Sequence, residues 1–261
     1  DQPRSRGLGD VYKRQCLTAI IIGAIGLVCQ LATGAELNAL IFNVVQKPLQ
    51  SLIGNNIFAV AILYVIISLF WCVGIHGSNM VNAVKEPIFR PLLYANTAAF
   101  TAGAAQKDIP YVMNLTMLSM FGEFGGSGVT IGLVIAIFIF SRREDNRTIA
   151  GISVVPALFN INETMTFGMP LVLNPILDIP FILAPVVTLV VGYLLVTSGF
   201  CPKIVLEVPW TMPPVFFGFI CTGANPMGAL SQLIVIALSV VIYTPFLIAY
   251  EKYQAKQSEA E

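Results

Sequence analysis

Val155-Pro-Ala-Leu-Phe-Asn-Ile-Asn-Glu-Thr-Met-Thr-Phe-Gly-Met-Pro-Leu-Val-Leu-Asn-Pro-Ile-Leu-Asp-Ile-Pro180 is the stretch whose reading decides the fold. It is apolar enough for membrane depth, yet it carries Glu163 between Asn162 and Thr164, with prolines at Pro156, Pro170, Pro175 and Pro180. Proline lacks an amide donor and bars its predecessor from helical geometry, so the stretch cannot run through as one helix and must break and turn back. Lipid offers no hydrogen-bond partners, so broken backbone at that depth persists only where it is buried in protein or lines a wet cavity. A carboxylate there costs about 2.5 to 3.5 kcal/mol on insertion scales. Glu163 is therefore read as facing a polar ligand; the plainer alternative is that it pairs with a buried base or caps a half-helix.

The rest of the chain supports a membrane setting. Of its 261 residues 56% are hydrophobic and only 11% charged, with net charge zero; this is the balance of a polytopic membrane protein, and it sets aside soluble-enzyme templates. There is no Lys/Arg-rich run of the kind that meets nucleic acid. The cysteines at 16, 29, 72, 201 and 221 lie in or beside apolar segments without zinc-ligand spacing, and one histidine cannot build a histidine-rich cage. No metal is expected. Gly125-Gly-Ser-Gly128 lacks the lysine and hydroxyl of a phosphate loop, so it reads as packing or a hinge, and no cofactor is expected.

The order of segments predicts an all-α fold of spanning helices, an interfacial amphipathic helix and two re-entrant, proline-broken hairpins. Residues 1–15 are charged and are read as an unrelated leader. Uncharged or nearly uncharged runs over 16–35, 57–75, 129–140, 181–201 and 227–250 suit spans. Residues 36–53 alternate apolar and polar positions at helical spacing, as in a helix lying in the interface or clamping a neighbour. Met80 to Gly103 is helical but too polar to face lipid along its length. Ile204 to Asn225 is the second broken segment, holding Glu207, Pro209, Trp210, Pro213 and Pro214. The basic cluster Ser141 to Arg147 and the tail 251–261 are placed in the cytoplasm by the positive-inside rule.

Two broken, carboxylate-bearing segments predict a shared cavity near the midplane of the bilayer. Asn162, Glu163, His76 and Trp210 are its candidate side chains. His76 closes a span beside Trp71 and Asn79, between Gly74 and Gly77; a lone histidine is also compatible with simple packing. Amides, imidazole and a carboxyl group that donates when protonated match the hydroxyls of a sugar, while an indole covers its C–H face. That set suits a neutral polyol better than an ion.

F-N-I-N-E-T-x-x-F-G-x-P-x-V-L-N-P (Phe159 to Pro175), G-I-H-G-S-N (Gly74 to Asn79), Q-K-P-L-Q-S-L (Gln46 to Leu52) and V-P-W-T-x-P-P (Val208 to Pro214) together resemble the membrane-embedded IIC component of bacterial sugar phosphotransferase systems, of the lactose, cellobiose and diacetylchitobiose group. The resemblance covers nearly all of Cys16 to Tyr250. It implies a permease of the bacterial cell membrane that carries a disaccharide while a phosphocysteine on a separate IIB protein, itself served by IIA, phosphorylates the sugar's sixth hydroxyl. It further implies Glu163 and His76 beside that hydroxyl, with Trp71, Gly77, Asn79, Asn162 and Trp210 around the sugar. Residues 16–53 would be the last helix of a dimerising half plus its linker, and 54–250 the transport domain of a homodimer. The proline that usually follows the glutamate is Thr164 here, and the common G-G-D-W reads Gly223-Ala-Asn-Pro226. The residues by themselves leave a second reading open, a proton-driven secondary transporter with Glu163 and His76 as its relay.

Overall fold

The computed structural model describes residues 4–36 and 56–258, with residues 39, 43 and 48 singly between them. Its two compact units divide between Ser51 and Leu52. The first holds α1 (Arg4–Thr33), in which Gln15–Thr33 is long and apolar enough to cross a bilayer. This helix runs through the charged opening without a break at Cys16, so the expected leader has no structural boundary there. The amphipathic arm expected over residues 36–53, with its Q-K-P-L-Q-S-L motif, falls almost wholly outside the described residues.

The second unit is a helical assembly of α2 (Ile57–Cys72), α3 (Gly77–Thr101), α4 (Leu115–Gly122), α5 (Ile131–Phe140), α6 (Glu144–Leu158), α7 (Glu163–Gly168), α8 (Pro175–Thr197), α9 (Phe216–Cys221) and α10 (Pro226–Ser258). Among the described residues there is no β-strand. In α2, Val60, Tyr64, Ile67 and Trp71 are buried, while Phe58, Ile62, Ile66 and Leu69 on the other face are exposed and just as apolar. A helix apolar on both faces needs lipid on one of them. It stops at Cys72, short of the expected Ile75, because Gly74 takes a φ of 82° and closes the end. The Gly74 amide donates to Trp71 O and the Ile75 amide to Phe70 O, the paired bonds that satisfy the last carbonyls of a helix.

At the other end of the deciding stretch, the span expected from Phe181 begins six residues earlier in the chain, at Pro175. Proline at the first helical position forfeits no bond, and Asn174 Oδ1 accepts from the Ile176 and Leu177 amides at 3.1 and 3.3 Å. Pro175 thus starts a helix rather than breaking one. α8 packs on α2, α4 and α10, and α10 also packs on α5 and α9. At the α5–α10 crossing a side chain on Gly132 would overlap Ser239, so small residues let the backbones approach. The chain bends beside the glycine run, where α4 and its following turn meet α5 at 60°, and a side chain on Gly125, Gly126 or Gly128 would overlap Ile131, Asn162 or Phe181, so these glycines serve close packing.

The segment from Cys201 to Val215 is extended and irregular, and its backbone is served by side chains. Asn96 and Asn114 both donate to Ile204 O at 2.9 Å, and Thr97 Oγ1 donates to Val205 O at 2.6 Å. Gln232 Oε1 accepts from the Val215 and Gly218 amides at 2.7 and 2.9 Å, while its Nε2 donates to Met120 O at 3.1 Å. Val215 has a φ of 77°, a costly conformation for a β-branched residue that persists only where its surroundings enforce it. Gln232, 1% exposed, is the enforcing group. Gln232→Leu would leave two amides and a carbonyl without partners, at about 1–3 kcal/mol each. Its thermal midpoint in detergent should fall well below wild type; an unchanged midpoint would refute this reading of the segment.

Candidate functional site

Three breaks in the helices meet. They are the glycine run between α4 and α5, the tip between α6 and α7, and the extended segment before α9. Around them lies a cavity of about 690 Å³, bordered by His76, Asn79, Asn162, Glu163, Glu207 and Trp210 among others. Its size falls within the roughly 300–1,000 Å³ of small-molecule sites.

His76 sits at the N-cap of α3, where its Nδ1 accepts from the Asn79 amide at 3.3 Å. An accepting Nδ1 puts the proton of a neutral ring on Nε2. Nε2 lies 3.5 Å from Glu163 Oε1. Glu163 opens α7, and its side chain is 44% exposed, so the carboxyl group is open to the cavity rather than enclosed by a buried base. The imidazole packs on Trp71, with ring centroids 4.5 Å apart, and Trp71 also meets Phe167 at 6.3 Å.

Of the expected site residues, Glu163, His76, Asn79, Asn162 and Trp210 border the cavity together. Trp71 and Gly77 do not. Trp71 is 2% exposed and stands behind His76, where it fixes the ring. Gly77 is buried against α2, where a side chain would overlap the Ile67 carbonyl. Its smallness serves helix packing. Asn162 is buried and spends its amide nitrogen on Thr166 Oγ1 at 2.9 Å, while Trp210 stands 62% exposed at the rim.

Sequence reading missed two charge clusters on the wall. Lys85 Nζ meets Glu123 Oε1 at 2.5 Å, with Lys85 only 3% exposed, and Ser119 Oγ donates to Glu123 Oε2 at 3.0 Å. One signal was available: Lys85 falls on the buried stripe of α3 with Val81, Ile88, Phe89 and Leu92. Nothing in the sequence named its partner. Arg90 bonds Glu86 on its own helix at 2.6 Å and also Glu207, tying α3 to the second broken segment.

Asn160 was missed too. It follows the end of α6 at a φ of 61°, its amide donating to Ala157 O and the Ile161 amide to Pro156 O, the same closing pattern as at Gly74. Its side chain accepts from the Gly125 amide at 2.7 Å and donates to Trp210 O and Met212 O at 2.6 and 2.9 Å.

Fold and site together define a polytopic membrane protein with an open cavity, bordered by polar and charged side chains, between broken helices. Comparison with known proteins narrows this. The family model described as "Phosphotransferase system, EIIC" matches residues 14–185. The lichenan permease IIC component of Bacillus subtilis (strain 168) is 35% identical over 238 residues, which cover 91% of this chain and 52% of that protein. The cellobiose-specific EIIC component of Lactococcus lactis subsp. lactis (strain IL1403) is 33% identical, covering 90% of this chain and 51% of that one. The crystal structure of the transporter ChbC, the IIC component of the N,N'-diacetylchitobiose-specific phosphotransferase system, superposes with a TM-score of 0.82 at 33% identity, over 93% of this chain and 55% of that chain. The chain belongs to the EIIC family of the phosphotransferase system. It spans about half the length of the curated relatives it matches.

Removing one member of a buried ion pair strands the other, at about 3–5 kcal/mol. Glu123→Gln should therefore lower the thermal midpoint strongly. Lys85→Met with Glu123→Leu, which removes both charges, should recover most of the loss. Equal midpoints for the single and double variants would show that the pair does not act as a unit.

Proposed function

We propose that this chain is the sugar-binding part of a IIC permease, which binds a β-linked disaccharide of the cellobiose or diacetylchitobiose type and carries it across the bacterial cell membrane for phosphorylation by a IIB protein. The observation that carries the reading is the His76–Glu163 pair, 3.5 Å apart and open to a sugar-sized cavity. In the transfer step the sugar's sixth hydroxyl oxygen attacks phosphorus on the phosphocysteine. The S–P bond breaks, the thiolate leaves, an O–P bond forms, and the hydroxyl proton passes to the Glu163 carboxylate. His76, with its proton on Nε2, orients that carboxylate and the hydroxyl. Asn79 and Asn162 offer polar contacts, and the open face of Trp210 offers a platform for a sugar ring; Trp71 and Gly77 support the site from behind.

None of the described cysteines borders the cavity, which supports a donor thiol brought by another domain or polypeptide. Ser141 Oγ and Asn146 Nδ2 both donate to Glu251, so the basic cluster and the end of α10 share one end of the unit. That pairing supports a cytoplasmic C-terminal tail, where IIB would approach. A homodimer in the bilayer, formed through the N-terminal half, completes the reading by analogy with the family.

In the complete gene product, Glu163→Gln and His76→Ala should each abolish phosphorylation-coupled uptake of cellobiose or diacetylchitobiose while membrane insertion stays normal. Normal uptake by either variant would defeat the assignment. Uptake driven by a pH gradient in vesicles lacking the phosphotransfer proteins would favour the proton-driven alternative.

A further inference from the structure

Asn160 borders the cavity, but its side-chain amide is committed elsewhere. It accepts from Gly125 N–H and donates to the carbonyls of Trp210 and Met212, at 2.7, 2.6 and 2.9 Å. Gly125 belongs to the glycine run, Trp210 and Met212 to the extended segment before α9, and Asn160 itself to the tip between α6 and α7, so one side chain joins the three breaks that wall the site. The residue also has to hold a left-handed φ of 61° to end α6, which asparagine tolerates better than most side chains. A side chain with one acceptor, two donors and tolerance of that backbone is needed at this point. Aspartate lacks the donors, and glycine has no side chain.

We infer that Asn160 is a positioning residue for sugar binding: its amide clasps the backbone at Trp210 to the tip that carries Asn162 and Glu163, and thereby sets the distance between the indole platform and the reacting pair. Trp210 itself is 62% exposed, so its ring is not wedged in place by burial and depends on where its backbone is tied. Asn160 touches no sugar in this scheme. Its effect passes through Trp210, and the inference rests on the sugar-binding reading above.

The test is a double-mutant cycle on sugar affinity in the complete gene product, with cellobiose and diacetylchitobiose as probes. Asn160→Gly keeps the left-handed backbone accessible and removes the clasp, and Trp210→Ala removes the platform. Each should weaken binding about tenfold, and the double variant should be no weaker than about tenfold either, because both changes break one link. Asn160→Asp, of the same shape, keeps the Gly125 contact but turns an acceptor toward two carbonyls; it should weaken binding as Asn160→Gly does, and it serves if the glycine variant fails to fold. A merely structural role predicts independent losses, about a hundredfold in the double variant, and that result overturns the inference. Wild-type affinity in Asn160→Asp overturns it as well. Binding of neither sugar by the wild-type protein would overturn the sugar reading and the positioning role with it, whereas binding by wild type with independent losses overturns the positioning role alone.

Discussion

Every backbone amide and carbonyl that lies at membrane depth away from a wet cavity has to find its partner within the protein, and this one demand organises the second unit. Spanning helices such as α8 and α10 meet it internally. The broken segments cannot, and asparagine and glutamine side chains make up the difference. Asn96 and Asn114 converge on the Ile204 carbonyl, Gln232 serves Val215, Gly218 and Met120, and Asn160 serves Gly125, Trp210 and Met212. These amides are what allow a non-helical cavity wall to exist in a lipid setting.

The same demand sorts the polar residues by job. Those whose donors and acceptors are filled by backbone hold the wall. Among those that border the cavity with atoms not spent on backbone are Glu163, the Nε2 side of His76, Asn79, Asn82 and the ring of Trp210. Lys85 and Glu123 form a third group, neutralising each other in the wall. The cavity wall thus combines open groups with ion-paired ones, Lys85–Glu123 and Arg90 with Glu86 and Glu207, and it also holds Asn82 Oδ1, which has no hydrogen-bond partner among the described residues. Such a wall suits the sugar proposed above, with few mobile parts to order on binding.

Much of this was legible in the sequence because proline, glycine and an isolated carboxylate in apolar surroundings have few alternative explanations. Glu163, Asn162, His76 and Trp210 could be brought together by the logic of two broken segments sharing a cavity, and Asn79 by the family resemblance. Trp71 and Gly77 were legible as neighbours of His76, but sequence adjacency could not say on which side of the wall they stand. The start of α8 was misplaced because proline at a first helical turn and proline inside a helix look alike until the capping role of Asn174 is known. Lys85–Glu123 and Asn160 were hidden for another reason: pairing across distant helices depends on packing, which a one-dimensional pattern does not carry. The amphipathic stretch over 36–53 falls almost wholly outside the described residues.

The most direct measurement is a structure of the complete gene product with cellobiose or diacetylchitobiose bound. The sugar's sixth hydroxyl oxygen should lie within about 2.7–3.2 Å of a Glu163 carboxyl oxygen, on the His76 side, with a ring against Trp210. A sugar bound elsewhere, or one bound in this cavity with that hydroxyl turned away from both Glu163 and His76, would contradict it.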